Sequence, residues 1–542
     1  MGVYLNSKAV YNAYREIYSG PYFVDKSLML DEIIPRIGTG EKYICITRPR
    51  RFGKSVMANM IASFLSMGCT ADEIFDQLKI ADKECYRKNL NQHNVISIPF
   101  NEVPADCTGY RQYITRIEKR LKRDLIRAFP DADIDRDDAV WDILTDLYEN
   151  GDSMQFVFIL DEWDFVFHRD FMTDQDKKSY IEFLNNLLKD KPYVSLAYMT
   201  GILPIAKYSS GSELNMFAEY TMASEEMYSD YFGFTESEVD DLYSRFLGNQ
   251  SDPQVTREGL RIWYDGYHTR SGERVYNPRS VVLSLTNNNL GNYWTSAGPY
   301  DEIYYYINHN VAEVRDDLAQ MISGIPVPAK VSEYAATSMN LTTKDEIFSA
   351  MIVYGFLSYE DGCVSIPNKE LMDKFQDMLL KESSLGYVNR LAKESGRMLK
   401  ATLDGDTETM VKILEYTHNT ENPLLSYSNE SDLTTIVNLV YLQARDTYRI
   451  EREDKAGVGY VDFIFYPEMN KQADGIILEL KAGHTAEEAL QQIKDRKYAL
   501  KFEGHLGEKA KYTGRILGVG IAYDKNTKVH ECKIEVLREA IR

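Results

Sequence analysis

The chain has 542 residues, of which 44% are hydrophobic and 27% charged; at roughly 150 residues per domain that bounds it at about three globular domains and excludes a disordered chain, which would lack apolar residues. A formal net charge of −21 excludes a protein that is basic as a whole and leaves any phosphate contact to local surfaces. No apolar run nears the roughly 18 residues of a membrane helix, and Met1 to Glu16 lacks the basic start and apolar middle of a signal peptide, so the expected place is the cytoplasm, with no membrane partner.

The six cysteines, Cys45, Cys69, Cys85, Cys107, Cys363 and Cys532, are scattered. They form neither a disulfide framework nor a zinc pattern.

In chain order, Tyr43 to Thr47 is predicted as a strand and Val56 to Met67 as a helix after an intervening loop. Strands are predicted at Asn94 to Phe100, Gln155 to Leu160 and Tyr193 to Thr200, alternating with helices at Arg111 to Phe129 and Lys177 to Leu188. Apolar strands alternating with helices predict a parallel sheet covered on both faces. On the helix at Arg111 to Phe129, the cations Arg116, Lys119, Arg120, Lys122, Arg123 and Arg127 are a candidate local basic surface for phosphate, against the plainer reading of a solvated face interleaved with acids. The middle, from about Phe232 to Leu380, is rich in short helices, one of them at Arg279 to Leu285 after the turn Tyr276-Asn277-Pro278. Glu382 to Glu415 is predicted as one amphipathic helical stretch, and Thr417 to Asn429 as a connecting loop. The pattern then becomes a helix at Asp432 to Asp446, strands at Gly459 to Tyr466 and Gly475 to Leu480, a helix at Thr485 to Leu500 and a strand at Arg515 to Ala522.

The loop Arg48 to Ser55 reads RPRRFGKS. It sits between a predicted strand and a predicted helix, as a phosphate-binding loop must. Gly53 lets the backbone approach a phosphate, Lys54 reaches the β- and γ-phosphates, and Ser55 holds Mg²⁺. The amides of Phe52 to Val56 open a helix whose positive end favours anions. Arg48 stands where the first glycine of the pattern belongs, and Arg50 and Arg51 are candidates for phosphate or partner contact. Downstream, the strand at Phe156 to Leu160 ends in Asp161 and Glu162. An Asp at such a strand end orders the Mg²⁺ shell, and an adjacent Glu polarises the attacking water. Thr200, ending the next strand, is a candidate sensor of the γ-phosphate.

A second constellation lies near the C-terminus. Asp462 sits on one apolar strand, and Glu479 and Lys481, two residues apart, share one face of the next. Charges on an apolar strand are costly without a partner or a purpose. The chemistry that uses this set is metal-assisted phosphodiester hydrolysis. Carboxylates hold Mg²⁺ or Mn²⁺, which lowers the pKa of a bound water and offsets charge on the phosphate. Lys481 positions the water or stabilises the transition state, Glu430 adds a ligand or orients one, and Gln492 anchors water or substrate. The competing reading is a structural ion pair of Lys481 with Glu479 or Asp462.

Taken with Tyr22 to Ser27, Asp161 to Asp164, Phe232 to Thr235, Trp263 to Tyr267 and Tyr276 to Pro278, these segments resemble a bacterial fusion of an AAA-ATPase-like domain with a C-terminal PD-(D/E)XK nuclease domain. That family carries RPRRFGK in its phosphate loop, so Arg48 conforms to it. Trp163, where tyrosine is usual, and Arg279, where an aromatic is common, depart from it. The resemblance implies a fold of class α/β. Residues 1–230 would form a P-loop domain, 231–380 a helical middle or lid, and 381–542 a mixed α/β restriction-endonuclease-like domain with a helical lead-in.

The expected ligands follow. ATP is expected at Arg48, Arg51, Phe52, Gly53, Lys54, Ser55, Val56, Asp161 and Thr200, with Mg²⁺ at Ser55 and Asp161 and Glu162 catalytic. The second site is expected to use Asp462, Glu479, Lys481 and Gln492 on nucleic acid, DNA foremost, with Mg²⁺ or Mn²⁺ at Asp462, Glu479 and Glu430. ATP is expected to gate cleavage. Self-association and the choice between DNA and RNA stay open. Two rivals stand beside this reading: an ATP-driven switch whose nuclease fold binds nucleic acid without cutting, and a nuclease whose nucleotide site only stabilises the fold.

Overall fold

The computed structural model describes residues 2–132, 134–151, 153–205, 214–222, 227–269, 271–294, 301–308, 310–331, 341, 343–421, 430–456, 459–468, 470–502, 511–524, 526–527 and 529–541, with the backbone alone at 168, 301–303, 417–421, 430–432, 453–456 and 459–460. It divides into two compact units. One comprises Met1–His309 with Pro328–Leu371, the other Asn310–Val327 with Met372–Arg542.

The first unit is built on five parallel strands: β1 (Tyr43–Thr47), β2 (Asn94–Pro99), β3 (Phe156–Asp161), β4 (Val194–Gly201) and β5 (Ala218–Tyr220), in the spatial order β2-β3-β4-β1-β5. Strand side chains alternate between faces. Tyr43 and Cys45 accordingly enter one apolar cluster and Ile44 and Ile46 the other. The first cluster receives helix α2 (Tyr110–Ala128) and the helices Val140–Asn150 and Asp174–Leu188; the second receives helix α1 (Lys54–Leu65) and the helix Lys8–Tyr18. Both faces are therefore sealed, which is why β1 and β4 are buried along their whole length. The order puts β4 alone between β3 and β1, so the loop after β1 and the acidic turn after β3 leave the same carboxyl end of the sheet.

The rest of this unit is mainly helical, with two short strand pairs, Tyr267–His268 with Arg274–Val275 and Ser358–Glu360 with Cys363–Ser365, and has a small apolar core around Tyr22, Phe234, Leu242, Tyr264 and Tyr276. It includes helix α3 (Pro278–Asn287), which Asn277 caps by accepting from the Ser280 amide at 3.2 Å.

The second unit holds a mixed sheet of β6 (Tyr448–Ala456), β7 (Gly459–Pro467), β8 (Gly475–Ala482), β9 (Ile516–Asp524) and β10 (Val529–Arg538), in sequence order. Only the β8–β9 pair is parallel, and the crossover between them contains helix α5 (Ala486–Asp495). Helix α4 (Glu430–Val440) precedes the sheet.

Four expectations are corrected here. The helix predicted through Asp446 ends at Val440, with a 3₁₀ turn at Leu442–Asp446. The one predicted through Leu500 ends at Asp495, because Lys497 takes a positive φ of 54°. The stretch Glu382 to Glu415 is two helices, Tyr387–Asp404 and Thr407–Glu421, parted at Gly405. Of the predicted connecting loop, Thr417 to Glu421 is helical and 422–429 lie outside the described residues.

Candidate nucleotide and nuclease sites

The loop after β1 closes on itself before α1 begins. Gly53 has φ of 92°, a conformation glycine adopts without strain. Lys54 is 7% exposed, and its ammonium donates to the carbonyls of Arg48 at 2.8 Å and Pro49 at 2.9 Å. Burial lowers the Lys54 pKa to about 8, against the pull of Asp164, Asp161 and Glu162. Those three carboxylates face it from the turn after β3. Asp161 accepts a hydrogen bond from the Thr200 hydroxyl. Glu162 is held at a positive φ of 52°, and burial followed by repulsion from Asp161 raises its pKa. Buried Asp164 accepts the amides of Ile202 at 3.0 Å and Leu203 at 2.7 Å, tying the turn after β4 to the turn after β3.

A cavity of about 700 Å³ opens beside the loop. Its lining includes the polar Arg50, Gly53, Lys54, Ser55, Glu162 and Arg279 and the apolar Ile17, Phe23, Met60 and Val282. It thus combines cations and loop amides with apolar surface, the mixture a nucleoside phosphate requires.

Arg48 takes a different place from the one expected. It is 1% exposed, and its guanidinium donates to the carbonyls of Thr47 at 2.8 Å and Tyr220 at 2.7 Å and lies over the Phe232 ring. It is a brace beneath the loop and does not line the cavity.

Sequence reasoning missed the loop's outer brace. Arg51 donates to the carbonyls of Tyr293, at 2.8 Å, and Trp294, and the Trp294 indole donates to the Arg50 carbonyl at 2.9 Å. Buried Glu370 holds that segment by accepting from the amides of Tyr293 and Trp294 and from the Ser280 hydroxyl. Phe52 packs edge-on against Tyr267 with centroids 4.9 Å apart.

In the second unit, β7 and β8 run antiparallel with Phe463 opposite Leu478, which brings Asp462 beside Glu479. Asp462 accepts the Leu480 amide at 2.7 Å. Glu479 is 3% exposed; its Oε1 receives Lys481 at 3.2 Å and also the Gln492 amide from α5. Burial, followed by repulsion from Asp462, raises the Glu479 pKa to about 7. Its Oε2 is buried and has no hydrogen-bond partner among the described residues. A buried carboxylate oxygen left so is costly, and a divalent cation fits as the absent partner. Among the described residues no group of three or more His, Cys, Asp or Glu side chains could hold a metal. Among the described residues the acidic side chains here are the pair Asp462 and Glu479, and two carboxylates would suit Mg²⁺, which keeps most of its waters. Glu430 begins α4, and its side chain lies outside the described residues.

Residues 11–210 match the family described as "Predicted AAA-ATPase", and residues 429–531 match the PD-(D/E)XK nuclease superfamily. The chain joins an AAA-ATPase-like domain to a PD-(D/E)XK nuclease-like domain. Among solved structures it is similar to the Walker-type ATPase of Pyrococcus abyssi, at 11% identity over 65% of this chain and 94% of that one, with a TM-score of 0.34. It is also similar to the ORC2 protein of Aeropyrum pernix in its ADPNP–ADP complexes, at 10% identity over 68% and 93%, with a TM-score of 0.30. None of the curated proteins matches the chain. No helix among the described residues is long and apolar enough to cross a membrane.

In the ATPase-like domain, several segments behind the family resemblance act as braces. Asp25 accepts the amides of Ser27 and Lys79, both at 2.8 Å, and Lys26 pairs with Glu238 at 2.6 Å. Gly201 is pinned as tightly: a β-carbon there would lie 2.5 Å from the Trp163 ring and 2.7 Å from Asp164 Oδ1. Gly201→Ala is accordingly expected to destabilise this domain by about 3 kcal/mol, the upper end of an overpacking cost. The measurement is a urea unfolding midpoint, and an unchanged midpoint would refute the close approach.

In the nuclease-like domain, the raised Glu479 pKa makes a pH prediction. The group lies between an unfolded value near 4.5 and a folded value of about 7. Within that window the folded state holds a proton that the unfolded state has lost, so stability falls as pH rises. Thermal melts in chelator at pH 5 to 8 are expected to show the parent losing stability relative to Glu479→Gln as pH rises through about 7. Parallel curves would show that Glu479 carries no such shift.

Proposed function

We propose that this chain hydrolyses ATP at the β1–α1 loop and cuts nucleic acid, DNA foremost, at Glu479, with ATP controlling the cut. In domain terms, the P-loop domain runs over residues 1–230, the helical middle over 231–380, and the nuclease domain with its lead-in over 381–542. The observation that carries the reading is the convergence of Asp462, Lys481 and Gln492 on Glu479, a buried carboxylate with one oxygen unpartnered among the described residues.

At the first site, Lys54 and the amides from Phe52 to Val56 bind the phosphates, Ser55 and Asp161 hold Mg²⁺, and Glu162 takes a proton from the attacking water. Thr200 acts through Asp161, orienting it. At the second site, Asp462 and Glu479 hold Mg²⁺ or Mn²⁺, which when bound supplies charge neutralisation and an acidified water. Lys481 faces the developing charge on the phosphate, and Gln492 fixes the carboxylate that Lys481 also contacts. Gating is motivated by the presence of both sites on one chain.

The test is incubation of purified chain with linear and circular DNA and with RNA, with Mg²⁺ or Mn²⁺, with and without ATP. Metal-dependent cutting that changes with ATP is the expected result. Metal-dependent cutting indifferent to ATP would remove the gating. No cutting with any substrate would sink the nuclease reading in favour of a binding switch.

A further inference from the structure

Helix α2 reads in sequence as a mixture of cations and acids, and the fold sorts them. At 3.6 residues per turn, Arg116, Lys119, Arg123 and Arg127 fall along one stripe. The acids are elsewhere. Asp124 is 2% exposed and accepts the Tyr4 amide at 2.7 Å. Glu118 turns towards Tyr110 and Lys122, on the other side of the helix. Along the stripe the helix presents a shallow, open groove lined only by its own Arg, Lys, Gln and Thr side chains, its cations being Arg111, Arg116, Lys119, Arg120 and Arg123. Arg120 pairs with Glu102 at 3.7 Å. No carboxylate among the described residues forms an ion pair with Arg111, Arg116, Lys119 or Arg123.

Five cations gathered in one groove on a chain of net charge −21 concentrate a positive field against the average of the surface. From Arg111 to Arg123 the helix advances about 18 Å, at about 1.5 Å per residue, the axial length of about five phosphates of one DNA strand. The groove has no aromatic side chain. Single-stranded nucleic acid is held by stacking on aromatics as well as by charge, so charge without a stacking platform favours a duplex backbone. The absence of apolar lining disfavours a membrane surface, where apolar side chains insert.

We propose that this groove binds the phosphate backbone of duplex DNA, without reading sequence. The choice of partner rests on the reading of the C-terminal domain as acting on nucleic acid; the groove itself lies on the other unit and is tested separately.

The experiment is fluorescence anisotropy of a labelled DNA duplex with the full chain in chelator, over a series of salt concentrations. The parent is compared with Arg116→Glu/Lys119→Glu/Arg123→Glu and with Arg116→Lys/Arg123→Lys. Removing three phosphate contacts is expected to weaken binding at least about tenfold and to flatten the log Kd against log salt slope by about 2.7. The lysine variant, which keeps the charge, is expected to keep the parent's slope. Should the triple variant melt early, Lys119→Ala alone is expected to flatten the slope by about 0.9.

Unchanged affinity and slope in a folded charge variant would overturn the proposal. So would a parent that binds no duplex at low salt, or one that prefers duplex RNA. The two readings separate because binding is read in chelator, where the nuclease reading predicts no cutting. A parent that binds through α2 but never cuts would leave the groove standing and remove the nuclease, whereas a parent that cuts while the triple variant binds as before would remove the groove alone.

Discussion

Lys481→Ala is expected to lower metal-dependent cleavage by about a hundred- to a thousand-fold, the cost of deleting one preorganised charge-stabilising group. The ammonium lies 3.2 Å from Glu479 Oε1, on a side chain 21% exposed against 3% for its partner. It therefore stands between the buried carboxylate and solvent, the side from which the proposed substrate would arrive. Its loss acts twice. The phosphate loses a cation in the transition state, and Glu479 loses the charge that opposes its raised pKa. The second effect weakens metal binding near neutral pH, because the metal must displace a proton. Raising metal and pH together should recover only that second part. Kinetics separate the parts: a fall in kcat with KM near the parent's marks an interaction made in the transition state. A purely structural ion pair predicts a lower melting temperature with cleavage per folded molecule unchanged, and that outcome would displace Lys481 from the chemistry.

Glu162→Gln is expected to reduce ATP hydrolysis by about a hundred- to ten-thousand-fold while ATP still binds, because an amide cannot take the proton of the attacking water. The position is prepared for that task. Burial and Asp161 raise the Glu162 pKa, and the residue is held at a positive φ that side chains seldom adopt, the kind of strain that clusters at functional sites. Lys54→Ala is expected to differ in kind and lose binding itself. Lys54 closes the loop through the carbonyls of Arg48 and Pro49, so its removal frees the loop as well as deleting a phosphate contact. Calorimetric titration with ATP beside a phosphate-release assay distinguishes the two variants. Hydrolysis at the parent's rate in Glu162→Gln would take the base role away from Glu162. With that variant loaded with ATP, gating predicts a cleavage rate locked at the ATP-bound level.

Much of the fold was legible because it is local. The strands buried on both faces, Tyr43–Thr47, Phe156–Asp161 and Val194–Gly201, show as short apolar runs. The loop chemistry and the Asp462, Glu479 and Lys481 set show as polar residues where burial makes polarity costly. Among the strands that went unseen are two at sheet edges. Tyr448–Ala456 carries Arg, Glu, Asp and Lys, and Val529–Arg538 is exposed at alternate positions, because an edge strand meets water and needs no apolar run.

What only the tertiary structure decided are choices between partners far apart in the chain. Arg48 could have pointed to a phosphate, but the Thr47 and Tyr220 carbonyls and the Phe232 ring hold it below the loop. Trp294 and Glu370 brace that loop from residues about 240 and 320 positions downstream, at a separation no local pattern encodes. On α2, the order of charges in the sequence is mixed, and burial of Asp124 against the Tyr4 amide leaves the cations outside. Local periodicity sets which face of an element is apolar. Which partner satisfies each buried polar group depends on what the fold brings within hydrogen-bonding distance.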